Sequence, residues 1–492
     1  MPAYEAVIGL EVHVQLKTAS KMFTDAPTGF GAPPNSLTNA IVMGLPGTLP
    51  VLNRGAIEQA IRTGLVFGSE IPESFHWDRK NYFYPDSPKN YQLTQKDAPV
   101  CLGGSVEIEL AGPSRKTMGE HRIIHLDHAH LEEDVGKLTH FENDSLVDYN
   151  RAGTPLLEIV TLPDLRSAEE AVALLHSIRM HLAAAGISDC DMEKGQMRCD
   201  ANVSVRPVGQ TTLNPRAEMK NLNSITGVRN AIAYEIRRQT RAYENGRPVL
   251  QETRRWDADA GRTSSLRSKE ESPDYRYFPD PDLLPVRYPR ERIEELRRDI
   301  PEAVFDRQRR YQEQYGLPYT VTSVICYDYQ LARYFEEAVT ASPANPKAIA
   351  NYIANELQRE RARSAGDGLQ PMATVPLKPA ALAGLVECVD AGKLTKQMAK
   401  EVFPEMFASG KSAEAVAEEK GLRVEPQDDA QLEQWCREAV AANAVAAAQV
   451  REGNDKAINS FIGPVMKASK GKANPQSVRE ALIRIIKDTS PG

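Results

Sequence analysis

The chain has 492 residues, a length that predicts roughly two to four domains, and 41% of them are hydrophobic, which is enough for ordinary globular cores. A net charge of −7 argues against a protein that coats nucleic acid nonspecifically, although a local basic patch would suffice for RNA binding. We find no apolar run of about 18 residues and no signal or transit peptide, and therefore expect a cytosolic protein with no membrane segment. The six cysteines form no C-x-x-C pair, so we expect reduced, mostly structural thiols.

The first predicted element is a strand over residues 7–16, in which polar and apolar side chains alternate. The alternation places Glu11, His13 and Gln15 on one face, with neighbours about 6.5–7 Å apart. A carboxylate and an imidazole at that spacing can share a metal ion or a phosphate. The alternative is a half-buried strand whose polar face meets solvent.

A second polar cluster occupies residues 125–134 and contains three histidines followed by three acids. Zinc is disfavoured because no cysteine accompanies the histidines, and because only His128 and His130 would share a face. Carboxylates are harder ligands and suit Mg²⁺ better. An acidic turn without a metal is the alternative. The three acids are Glu132, Glu133 and Asp134.

The next predicted elements are two helices and a polar strand. Residues 167–185 begin with a capping box formed by Ser167 and Glu170, and residues 224–244 form a similar helix that ends before a glycine. The strand 198–206 between them carries a polar face, which is typical of solvent exposure or of an active-site floor. These polar residues are Asp200, Asn202, Ser204 and Arg206, and Lys220 stands just before the second helix, where a helix N-terminus favours anions.

Aromatic and charged side chains interleave in two further segments, 80–86 and 274–280. The rings could stack on bases or line a pocket, while Lys or Arg could meet phosphate. An aromatic core edge explains the pattern equally well. The sequence 410–412 resembles the end of a P-loop, but Glu405 stands where the first glycine is required, so ATP would need another kind of site.

From about residue 289 the pattern becomes helical, and we predict a domain at 1–288, a helical domain at 289–399 and a helical tail at 400–492. The tail from residue 461 carries six Lys/Arg against two Asp/Glu, which fits either a phosphate-backbone contact or a solvated helical end. The predicted helical segments are 290–299, 301–315, 328–339, 345–363, 429–448 and 478–486.

Together these segments resemble the GatB family, the B subunits of tRNA-dependent amidotransferases. The resemblance covers essentially the whole chain, with nine strings in the order of the family. The strings are GLEVHVQL, GLPGTLPVLN, KNYFYPD, HLEEDVGK, YNRAGTPLLEIV, MRCDANVSVR, EMKNLNSI, DYRYFPDPDLLP and VMKASKGKANP.

The resemblance implies an α+β fold with a cradle-like antiparallel-sheet domain, similar to glutamine synthetase in its core, followed by an all-helical domain and a small helical tail. It implies that ATP and Mg²⁺ activate the side-chain carboxylate of Glu-tRNA(Gln) or Asp-tRNA(Asn) by phosphorylation, before ammonia gives the amide. The implied partners are an amidase, the A subunit, which supplies ammonia, and a small protein, the C subunit, so that the complex would be a heterotrimer.

The resemblance also implies functional residues, each named here by its number in this chain. Metal ligands are expected at Glu11, His13, Glu132, Glu133 and Asp200. Phosphate or substrate contacts are expected at Lys80, Arg198, Lys220 and Arg276. The basic excess of the tail separately predicts contacts with tRNA at Lys467, Lys470 and Lys472.

One departure concerns a zinc knuckle that many members build from cysteine pairs. The matching stretches, 21–26 and 39–43, contain no cysteine, so we predict no structural zinc. Two alternatives remain open: a noncatalytic tRNA-binding scaffold, which would have lost the acidic and histidine ligands, and a free-standing ATP-dependent amide ligase, which would not need the helical regions.

Overall fold

The structure is a computed structural model that describes residues 3–268, 274–366, 368–422, 429–451, 454–469, 473 and 475–488. The chain divides into two compact units, Met1–Arg307 and Gln308–Gly492. The first unit holds the strands and the first four helices, and the second unit is helical. The mixed α+β class predicted from the sequence is therefore confirmed.

The strands of the first unit fall in chain order as follows: β1 Tyr4–Gln15, β2 Ser74–Phe75, β3 Asp78–Asn81, β4 Tyr91–Thr94, β5 Cys101–Leu102, β6 Ser105–Glu109, β7 His121–Glu133, β8 Lys137–His140, β9 Ser145–Asp148, β10 Pro155–Thr161, β11 Met197–Pro207, β12 Ala217–Leu222, β13 Glu252–Asp257, β14 Arg262–Ser268, β15 Phe278–Pro279 and β16 Val286–Arg287.

The helices follow the same order: α1 Arg54–Val66, α2 Ala168–Ala184, α3 Ile225–Glu244, α4 Arg290–Arg298, α5 Val304–Tyr315, α6 Tyr319–Ile325, α7 Tyr329–Ala341, α8 Pro346–Tyr352, α9 Gln358–Ala365, α10 Pro379–Asp390, α11 Lys396–Ser409, α12 Ala413–Glu419, α13 Asp429–Ala442, α14 Ala444–Arg451, α15 Asn459–Ala468 and α16 Pro475–Asp488.

Among the described residues, nine strands form one sheet in the order β14-β13-β12-β11-β1-β10-β7-β5, with β6 also paired to β7. All of its pairings are antiparallel except that of β12 with β13. Long β1 is therefore central, with β11 on one side and β10 on the other. Helices α1, α2 and α3 pack against this sheet.

The alternation predicted for β1 is confirmed, because Leu10, Val12 and Val14 are fully buried while Glu11 and His13 are only partly covered. The apolar side chains belong to the core shared with the helices. The polar side chains consequently line the opposite face of the sheet, which is where the candidate site forms.

The two capped helices of the first unit are also confirmed. Ser167 lies at the N-cap of α2 and accepts a hydrogen bond from the backbone of Glu170 at 3.1 Å. Ser224 caps α3 in the same way, and Gly246 follows its end with a φ of 66°. These caps fix where α2 and α3 begin against the sheet.

The helical character predicted after residue 289 is confirmed as well. Residues 345–363 are interrupted by a π-helical turn at Ile353–Leu357. All six cysteines are buried and unpaired by disulfides. Within the described ranges, no helix combines the length and apolarity that crossing a membrane requires.

Candidate functional site

The register of the central strands brings the polar faces of β1, β10 and β11 together. His13 on β1 lies opposite Glu158 on β10 and opposite Arg198 on β11. Glu11, one step along the same face, lies opposite Asp200. Directly opposite residues stand about 4.5–5.5 Å apart, so each row places its charged groups within reach of one ion or substrate.

The first cluster consists of His13, Glu132 and Glu158, whose ligand atoms all lie within 4.8 Å of one another. His13 Nε2 is 3.2 Å from Glu158 Oε2 and 3.8 Å from Glu132 Oε1. Gln92 orients Glu132 by donating to its Oε2 at 2.8 Å. One imidazole and two carboxylates, one of them almost completely buried, form a donor set suited to a divalent cation.

The protonation of this cluster reflects two carboxylates held close together. Burial, with the charge of Glu158 added, raises the pKa of Glu132 to about 8. Burial alone would also raise the pKa of Glu158, but the hydrogen bond and charge of His13 hold it below its ordinary range. Without a cation, the pair therefore retains a proton near neutral pH, as expected for like charges that share one site.

The second cluster consists of Glu11, Asp200 and Glu218, which again lie within 4.8 Å of one another. Lys220 Nζ bridges two of them, at 2.6 Å from Asp200 Oδ2 and 2.7 Å from Glu218 Oε1. Asn202 donates to Glu11 Oε1 at 2.9 Å. Three carboxylates lie together here, and the ammonium group of Lys220 contacts two of them, so the cluster favours positive charge.

Burial raises the pKa of Glu11, with further contributions from Glu158, Glu218 and Asp200. Burial would lower the pKa of Lys220, but the two carboxylates that it bridges raise it above its ordinary value. The ammonium group of Lys220 therefore stays charged and neutralises part of the cluster.

A cavity of about 190 Å³ opens beside these clusters, and Lys80 and Arg198 line it. Arg198 donates to Asp134 at 2.8 Å, which leaves its buried Nε without a partner among the described residues. Lys80 has no carboxylate within 4 Å in the described ranges. Burial would lower the pKa of Lys80, but the negative charge of Glu132 raises it above its ordinary value. Both cations are thus placed to meet an anionic ligand in the cavity.

The remaining predicted site residues lie elsewhere. Glu133 follows Glu132 on β7 and points to the other side, where Lys89 and the backbone of Leu93 bind its carboxylate. Arg276 lies in the loop before β15. In the tail, Lys467 is exposed on α15, whereas Lys470 and Lys472 are outside the described residues.

Sequence reasoning missed Glu158 and Glu218 as members of the two clusters. Glu158 is the single charged residue of β10, whose other members are apolar apart from a threonine. Glu218 stands two residues before Lys220, so strand alternation places both on the same face. For Glu158, the available signal was a lone carboxylate in an otherwise apolar strand.

The stretches that match the zinc knuckle carry a different set of contacts. Asn39 donates from its side-chain amide to Thr24 Oγ1 at 2.6 Å, and its Oδ1 accepts from the backbone of Val42 at 3.0 Å. Ala26 and Val42 belong to a small apolar cluster with Ala152. These side chains offer neither thiolate nor imidazole, the ligands from which structural zinc sites are usually built.

Comparison with known proteins places these features in a family. The sequence model of the GatB/GatE catalytic domain matches residues 6–294, and that of the GatB domain matches residues 333–486. The B subunit of the aspartyl/glutamyl-tRNA(Asn/Gln) amidotransferase of Opitutus terrae is 56% identical over 98% of this chain and 99% of that protein. Proteins of the same name from Carboxydothermus hydrogenoformans and Thermodesulfovibrio yellowstonii are 45% and 44% identical over 98% and 99% of this chain, covering 98% and 100% of their own lengths.

Proposed function

Since the chain belongs to the GatB family of amidotransferase B subunits, we propose that it uses ATP and Mg²⁺ to activate the side-chain carboxylate of Glu-tRNA(Gln) or Asp-tRNA(Asn). An oxygen of that carboxylate attacks the γ-phosphorus of ATP, the bond to the β-γ bridging oxygen breaks, and ADP leaves. Ammonia then attacks the carbonyl carbon of the acyl phosphate, inorganic phosphate leaves, and the nitrogen loses a proton to give the amide.

The donor sets of both clusters fit divalent cations. We assign one cation to His13, Glu132 and Glu158, and a second to the three-carboxylate cluster around Lys220. When bound, Mg²⁺ would neutralise the phosphate charge and orient the transferring group, which is most of what phosphoryl transfer requires. The predicted ligand Glu133 has no place in this assignment, because Lys89 already binds it.

Three cationic side chains perform the remaining work in this proposal. Lys80 and Arg198 face the cavity and bind the phosphoryl group or the substrate carboxylate. Lys220 stands at the second cluster, where it bridges two carboxylates and can turn toward an incoming phosphate. Such fixed positive charges act where charge develops in the transition state.

We propose that ammonia comes from a partner amidase, the A subunit, and that a small third protein, the C subunit, completes the complex. The family resemblance in the sequence implies both partners. The helical regions, 289–399 and 400–492, are assigned to tRNA binding. The exposed position of Lys467 on α15 supports a contact with the phosphate backbone.

The observation that carries this function is that two acidic clusters on the nine-stranded sheet lie beside Lys80, Arg198 and Lys220. The test is amide formation on Glu-tRNA(Gln) by the reconstituted complex with ATP, Mg²⁺ and ammonium chloride, which bypasses the glutaminase. Glu158→Gln should lower the rate at least about 100-fold because a cation ligand is lost.

Glu120→Gln provides the matched control, because this carboxylate is 62% exposed and pairs with Arg122 at the surface. It should leave the rate unchanged. Equal rates for Glu158→Gln and the wild type would show that the cation site has been assigned wrongly. A wild-type complex that forms no amide on either aminoacyl-tRNA would instead favour the scaffold.

A further inference from the structure

An aromatic turn borders the catalytic cavity and has no role in the chemistry above. Tyr82 lines the cavity and meets the ring of Tyr275 edge to face, with centroids 6.3 Å apart. Tyr275 in turn meets Tyr277 at 6.1 Å. The three rings form a continuous aromatic row that runs from the cavity toward solvent.

The outer part of this row is open. Tyr277 is 39% exposed, and Phe278 beside it is 42% exposed. Lys80 Nζ lies 5.1 Å from the centroid of Tyr275, and Lys96 Nζ lies 5.9 Å from that of Tyr277. Exposed rings with ammonium groups beside them are the combination that binds single-stranded nucleotides, since bases stack on rings and phosphates meet cations.

The backbone turn that holds the rings in this arrangement is strained at one residue. Arg276, between the two tyrosines, has a φ of 45°, which is strained for a residue with a side chain. Asn81 stabilises this conformation by donating from its Nδ2 to the carbonyl oxygens of Arg276 at 2.8 Å and Tyr275 at 3.3 Å. Its backbone N–H donates to the same Tyr275 oxygen at 3.0 Å.

We propose that Tyr275 and Tyr277 form the stacking site for the 3′-terminal adenine of the aminoacyl-tRNA, an inference that rests on the proposed function. The amino acid is esterified to the ribose of that nucleotide, so a site for its base fixes how far the side-chain carboxylate reaches into the cavity. The row is open to solvent at Tyr277, which suits the end of a polymer that must enter from outside. Asn81 is then a positioning residue that acts through the turn.

The test compares binding of uncharged tRNA ending in CCA with the same tRNA lacking the terminal adenosine, using the assembled complex. The wild-type complex should lose roughly 5- to 150-fold in affinity when the adenosine is removed, which is the range for one stacked base. Tyr277→Leu should weaken binding of the complete tRNA and make it insensitive to the missing base, whereas Tyr277→Phe should restore the difference.

Asn81→Ala should raise KM for Glu-tRNA(Gln) while changing kcat little, because the rings lose their placement but the catalytic groups remain. Phe141→Leu is the matched control, since this ring is 60% exposed and lies outside the row. The proposal would be overturned if Tyr277→Leu lost as much affinity as the wild type when the terminal adenosine is removed from the tRNA. An increase in KM for ATP with tRNA binding unchanged would also overturn it, because the rings would then hold the adenine of ATP.

This binding measurement is independent of catalysis. A complex that discriminates between the two tRNAs but forms no amide would refute the proposed function and leave the stacking site standing. A complex that forms amide without discriminating would refute the stacking site alone.

Discussion

Lowering the pH should weaken cation binding at the first cluster, because the cation binds only to deprotonated ligands. The pKa of Glu132 is raised to about 8 by burial and by the charge of Glu158. The ionised fraction of Glu132 falls from about one half at about pH 8 to about 3% at about pH 6.5, so Mg²⁺ affinity should fall roughly 15-fold between these two pH values. Burial alone would lower the pKa of His13, but its contacts with Glu158 raise it, so His13 must also lose a proton and steepens this dependence.

Isothermal titration calorimetry with MgCl₂, in buffers of different ionisation enthalpy, would measure both the affinity and the protons released. An Asp200→Asn background removes one ligand of the second cluster, so that the first cluster dominates the signal. We expect release of at least about one proton near pH 6.5 and progressively less above about pH 8. An affinity that changes less than about threefold over this range, without proton release, would refute the assignment of Glu132 as a ligand.

Three further outcomes follow from other contacts. Asn39→Ala should lower the free energy of unfolding by about 1–3 kcal/mol in urea titrations, because it removes the hydrogen bonds with the Thr24 hydroxyl and with the backbone N–H of Val42. A zinc chelator should leave the wild-type unfolding midpoint unchanged. Glu235→Gln should cost about 3–5 kcal/mol by the same measurement, because Glu235 is fully buried and pairs with Arg238 at 2.6 Å; an unchanged midpoint would contradict this. Lys220→Met should tighten binding of the second cation while reducing kcat, and weaker binding would show that the ammonium group does not compete with it.

Local signals allowed much of the fold to be predicted from the sequence. Strand alternation placed Glu11 and His13 on one face, and a capping serine located the start of α2. The run 429–448 was predicted as one helix, but Asn443 ends α13 and caps α14 by accepting from Ala446 at 3.1 Å. Capping residues within a helical pattern therefore carry information that apolar spacing alone does not.

The strand pairing that brings the site residues together is long-range, and a local pattern can mark a residue as unusual without showing which residues it meets. Glu132 and Glu133 are adjacent on β7, so one of them had to face away from His13. The pairing of β7 with β10, which sets Glu132 opposite Leu156 and His130 opposite Glu158, determines which one does. The same pairing brings Glu158 into the first cluster, which is why sequence reasoning did not identify it.

In both clusters the repulsion between neighbouring carboxylates is reduced by a positive charge, but the source of that charge differs. Without a cation, the first cluster reduces its repulsion by keeping a proton on the pair formed by Glu132 and Glu158. The second cluster instead holds the ammonium group of Lys220 between Asp200 and Glu218. A proton leaves when a cation arrives, whereas a tethered ammonium group remains nearby after it is displaced. Under the proposed function, the first cluster would therefore hold a resident cation. The second would exchange Lys220 for a cation that arrives with the nucleotide, which would free the lysine to meet the phosphate.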